Sequence, residues 1–88
     1  MMTDLKHWNE VTRGIYRYVI AASVAYELHI NYWNCSNDIM NANASLFLVG
    51  DWQDEDNTRF FERETLLDGK SVAECLATAK KDYRENIS

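Results

Sequence analysis

The chain has 88 residues and a mass of 10.3 kDa, room for one compact domain and no second. Apolar residues make up 47% of it, charged residues 26% and aromatics 12%, a globular composition rather than a disordered one. A chain this short buries only about 60–65% of its unfolded surface. Substrate-enclosing folds such as a TIM barrel or a full doubly wound nucleotide fold are therefore excluded by length.

Fourteen acids against nine bases leave a net charge of −5. Residues 51–68 hold seven of the acids (Asp51, Asp54, Glu55, Asp56, Glu62, Glu64, Asp68) and two bases (Arg59, Arg63), so this stretch carries the whole net charge. A localised negative field repels phosphate backbones and attracts basic partners, chiefly by raising the association rate.

In chain order, Leu5, Trp8, Thr12, Ile15, Val19 and Ala22 recur at steps of three and four, which predicts an amphipathic first helix. Lys6, Glu10, Arg13 and Arg17 then form its solvated face, with Thr3 as N-cap. Gly14 costs about 1 kcal/mol inside a helix, and a break there would let the β-prone run 16–20 start a strand. From Tyr26 the period changes to two. Tyr26, Leu28, Ile30 and Tyr32 alternate with Glu27, His29 and Asn31, the pattern of a half-buried strand over 26–32. Residues 34–43 read as a loop, 45–52 as a second strand, 53–57 as a hairpin loop and 58–67 as a third strand. Glu62, Arg63 and Glu64 charge both faces of that third strand, which suits a protected sheet edge. Asp68 and Gly69 turn the chain, and Ser71 with Glu74 forms a capping box that opens a final helix. Its buried face is Val72, Cys75, Leu76, Ala79 and Tyr83. The expected fold is a two-layer α+β domain of order α-β-β-β-α, spanning residues 1–88. It has a three-stranded antiparallel sheet with both helices on one face.

Catalytic signals are thin. Cys35 and Cys75 with His7 and His29 lie on separate elements with no motif tying a nucleophile to a base. The same four residues lack the paired spacing of a zinc site. In the acidic loop, Asp54, Asp56 and Thr58 imitate the start of a calcium loop, but Arg59 stands where glycine is needed and Thr65 where the bidentate Glu belongs. Gly14, Gly50 and Gly69 are isolated and cradle no phosphate. No catalytic residue, cofactor or metal is expected, and the protein reads as non-enzymatic. No apolar run reaches membrane-spanning length, and no basic-then-apolar leader opens the chain. The expected compartment is therefore the cytoplasm, with both thiols reduced and no membrane or direct nucleic-acid partner.

The remaining feature is the acidic hairpin with aromatics at its mouth. Asp51, Trp52, Asp54, Glu55, Asp56, Phe60, Glu62 and Glu64 form the candidate partner-binding set: an aromatic anchor inside a charged rim that suits a protein with a basic surface. The alternative is a self-associating accessory or structural protein that forms a homodimer through its sheet edge or an aromatic face. Small size, acidity and the lack of catalytic motifs are shared with many phage and mobile-element inhibitors of host nucleic-acid enzymes, anti-CRISPR proteins among them. The likeness is one of kind and carries no residue across.

Overall fold

The computed structural model describes residues 2–32, 38–53 and 59–87. Among these residues, the chain forms five antiparallel strands followed by one α-helix: β1 (Asn9–Thr12), β2 (Ile15–Ala21), β3 (Val24–Tyr32), β4 (Asn43–Gln53), β5 (Arg59–Ser71) and α1 (Val72–Asp82). The strands pair in chain order as a meander. The expected α-β-β-β-α order, with two helices over three strands, is therefore corrected at its first element.

The region expected to be a helix is a β-hairpin. Arg13 and Gly14 make its turn between the paired residues Thr12 and Ile15, and Gly14 supplies a φ of +82° that side chains rarely adopt. Beyond the turn, the β-branched and aromatic run 15–20 alternates between faces. Tyr16, Tyr18 and Ile20 pack toward the core, while Val19 points away and is 66% exposed. The helical stripe through Ile15 and Val19 was thus a coincidence of spacing. Pairing along β3, from Ile15↔His29 to Ala21↔Val24, outweighed it.

The three later strands fall where the alternation predicts, each slightly longer. β5 does not end at Asp68 and Gly69. Gly69 has a φ of +67°, and two residues of β5 oppose Ser45 between the pairs Ala44↔Lys70 and Leu46↔Leu67. This is a bulge that bends the strand into the helix.

One sheet face carries the core. Tyr26 and Leu28 of β3, Ala44 and Leu46 of β4, and Val72, Cys75, Leu76 and Ala79 of α1 are all buried. Each large apolar side chain so buried contributes about 1.5–3 kcal/mol. Where a second helix was expected, the core is closed by short 3₁₀ turns, Leu5–His7 and Ile39–Asn41, which bring Leu5 and Met40 against it. Trp8 is buried at 5% exposure. Its indole N–H donates to the Met2 carbonyl at 2.7 Å, and its ring lies 5.5 Å from that of Tyr18.

The last helix starts where the capping box places it. The Glu74 amide donates to the Ser71 hydroxyl at 3.1 Å, and the Ser71 amide donates to the Glu74 carboxylate at 3.0 Å. Substituting Ser71→Ala leaves the Glu74 amide without that acceptor. It should lower unfolding stability by about 0.5–2 kcal/mol, read as a reduced urea midpoint with an unchanged slope.

Candidate functional site

The chemistry-bearing side chains fall into two regions, the sheet face opposite α1 and the acidic β4–β5 hairpin. On the face opposite α1, the register aligns Arg17, Glu27, Phe47 and Thr65 across β2 to β5. Glu27 is only 6% exposed although no helix covers this face. Arg17 donates twice to one of its carboxylate oxygens, at 2.8 and 3.1 Å, and the His29 Nε2 bonds the other. Burial alone would raise the Glu27 pKa. The hydrogen bonds and charges of His29 and Arg17 outweigh it and hold the carboxyl below its ordinary value. His29 also meets the Phe47 ring edge-on at 4.8 Å, and the Arg63 guanidinium lies 4.6 Å from the centre of the same ring. Beside them, Asn31 donates to Ser45 at 3.0 Å, and Ser45 donates to Asp68.

A histidine oriented by a carboxylate is a part that catalytic sites use. Among the described residues, the hydroxyl nearest to it in register, Ser45, is committed to Asp68 rather than to His29. The cluster ties four strands together and makes this face a neutralised, mostly polar surface, the usual exposed side of an antiparallel sheet. The sequence placed His29 off the apolar face but did not find its partner. The available signal was the i, i+2 spacing of Glu27 and His29, which puts both on one face of a strand.

The second region is the acidic hairpin. Its two strands are the longest in the sheet, 11 and 13 residues. At about 3.3 Å per residue, β5 accounts for most of the molecule's 49 Å long axis. β3 begins at Val24, opposite Gly50, so beyond Gly50 the two strands pair with each other only, from Asp51↔Phe61 through Trp52↔Phe60 to Gln53↔Arg59. The result is a two-stranded arm projecting past the sheet. Of the candidate partner-binding residues, the register brings Trp52 opposite Phe60 and sets Asp51 beside that pair. Glu62 and Glu64 are exposed on the edge strand at the arm's base. Asp54, Glu55 and Asp56 lie outside the described residues, as do the side chains of Asp51, Trp52 and Phe60.

Among the described residues, no group of three His, Cys, Asp or Glu side chains could hold a metal ion. No helix among them is long and apolar enough to cross a membrane. His7 lies in the Leu5–His7 turn, His29 in β3 and Cys75 in α1, while Cys35 falls outside the described residues. Cys75 is fully buried and free. Burial, then the nearby Glu74 and Asp68 carboxylates, push its thiol up to about 11. In the native protein Cys75 should resist a thiol-alkylating reagent under conditions that label it completely in denaturant. Comparable labelling in both states would show that α1 opens readily from the sheet.

Comparison with protein-family models, with curated proteins and with solved structures finds no match.

Proposed function

We propose that the protein is a non-enzymatic protein-binding module of the cytoplasm whose acidic β4–β5 arm docks on a basic surface of a partner protein. The partner surface is of the kind that holds nucleic-acid phosphates, because the arm offers the same sign of charge. The observation that carries this reading is the pairing register. It carries the first part of the acidic segment, from Asp51 onward, beyond β3 as a two-stranded arm, with Trp52 opposite Phe60 on it. A lone two-stranded ribbon is marginal in water, and docking on a second surface stabilises it. The field of the arm speeds encounter, and the aromatic pair holds the complex once formed.

The test is kinetic, on a partner captured from the native host and identified by mass spectrometry. Replacing Asp54, Glu55 and Asp56 with Asn, Gln and Asn should slow association about tenfold at low salt and flatten its salt dependence, with dissociation little changed. Trp52→Ala should instead speed dissociation. Unaltered rates for the triple variant at low salt would reduce the arm to a solubilising surface.

A further inference from the structure

The base of the arm has a feature that electrostatics alone does not require. Val24, Leu48, Gly50, Glu62 and Glu64 share the α1 side of the sheet by register: Val24 opposes Gly50, Gly50 opposes Glu62, and Leu48 opposes Glu64. Leu48 packs against the core, but no α1 residue lines the recess these residues share. The helix starts beside Ala42, whose carbonyl accepts from the Val72 amide, and runs to Asp82, which accepts from the Tyr26 hydroxyl. In its continuation, Tyr83 and Arg84 line a cavity together with Tyr18 and Ile20 of β2. The opposite corner is left as a recess of about 480 Å³, with Val24, Leu48 and Gly50 as an apolar floor and Glu62 and Glu64 along its outer wall. Neither carboxylate has an ion-pair partner among the described residues. Arg63, between them, also borders the recess, and its guanidinium lies over the Phe47 ring. The recess borders the free edge of β5, where alternate backbone amides and carbonyls point away from β4.

An apolar floor with a carboxylate rim at an open sheet edge matches one kind of side chain: a long aliphatic stem ending in a cation. We infer that this corner binds an extended basic segment of a partner protein, which adds as a further strand beside β5 and lays a Lys or Arg side chain in the recess. The inference rests on the acidic-arm reading and deepens it by naming the partner's conformation and its anchoring residue. A second copy of the chain fits this edge badly. A two-fold pairing of β5 with itself must keep each face of the sheet continuous, so residues of like face stand opposite each other. Centred on Arg63, such a pairing sets Glu62 against Glu64 and Arg63 against Arg63. Centred on either glutamate, it sets that carboxylate against itself. The same charges that bar self-pairing favour a basic strand.

The experiment uses the full chain and a blocked peptide of alternating Val and Lys, with binding read by titration and by hydrogen exchange of the β5 amides. A peptide of the same sequence carrying N-methyl groups at alternate residues keeps the charge but cannot pair as a strand. The expected result is saturable binding of the first peptide, slowed exchange at alternate β5 amides around 62–65, and at least tenfold weaker binding of the N-methylated peptide. Gly50→Val fills the recess, and because Gly50 does not hold the positive φ of Gly14 and Gly69, valine meets no backbone strain there. This variant, and independently the pair Glu62→Gln and Glu64→Gln, should each weaken binding at least tenfold. Equal binding of both peptides, exchange at β5 that does not change, or full binding by a folded Gly50→Val variant would overturn the inference. So would a concentration-dependent dimer that itself protects β5. The triple Asn, Gln, Asn variant at residues 54–56 separates this site from the arm reading. Retained β5 protection in that variant, with unaltered partner association, would sink the arm and keep the strand site. Binding lost there but kept in Gly50→Val would do the reverse.

Discussion

Tyr26→Ala is expected to lower unfolding stability by about 3–5 kcal/mol, measured by urea denaturation. Tyr26 is the largest fully buried side chain, at the centre of β3 between β2 and β4 and beneath the end of α1. Truncation removes its transfer energy and leaves a cavity that α1 cannot fill, because the helix is anchored at Ser71. For a domain of this size that is about half of the stability or more. Tyr26→Phe separates packing from polarity. It keeps the ring and removes only the hydroxyl that donates to Asp82 at 2.6 Å, for a cost of about 1–2 kcal/mol. The pair also responds to alkali. Burial, then the hydrogen bond to Asp82 and its charge, raise the Tyr26 pKa well above the ordinary 10.0. A raised folded-state pKa gives stability that is complete below the unfolded value and is lost as the pH rises beyond it. The natural chain should therefore weaken above about pH 10, and Tyr26→Phe should lose much of that dependence. Equal alkaline limbs in the two proteins would place the dependence elsewhere.

Replacing Glu27 acts on the other face and has the opposite pH signature. Glu27→Ala removes the acceptor shared by Arg17 and His29 and loosens the row that joins β2, β3 and β4. Arg17 is 39% exposed and can turn to water, so the loss should be about 1–2 kcal/mol, less than for a fully enclosed pair. Because the Glu27 pKa is held down in the folded state, its contribution is present above the unfolded carboxyl range and is lost as the pH falls through the lowered value. Stability of the natural protein should decline on acidification below about pH 5, and Glu27→Gln should decline less. Urea midpoints across the acid range measure this. Parallel acid limbs would assign the dependence to other carboxylates.

Much of the fold was legible in the residues because its signals are local. Alternation from Tyr26, the charges at 62–64 and the Ser71–Glu74 box each act within a few residues, and three strands, one sheet edge and the last helix follow from them. The first twenty residues were not legible in this way. Their apolar groups satisfy a helical period and a strand period at once, so burial had to decide between them. A helix would have hidden Val19 with Leu5 and Trp8, whereas the sheet exposes Val19 and gains the pairing of the whole of β2 along β3.

The sequence by itself determined the charge map, the strand faces of β3 and the cap of α1, because each depends on side chains adjacent along the chain. Only the tertiary structure decided that Glu27 sits between Arg17 and His29, that Asp51 to Gln53 pair beyond the end of β3, and that α1 leaves the corner at Gly50 uncovered. Apart from the neighbours Glu27 and His29, those features join residues six to forty positions apart. They depend on strand register and on where a helix stops, which no local period encodes.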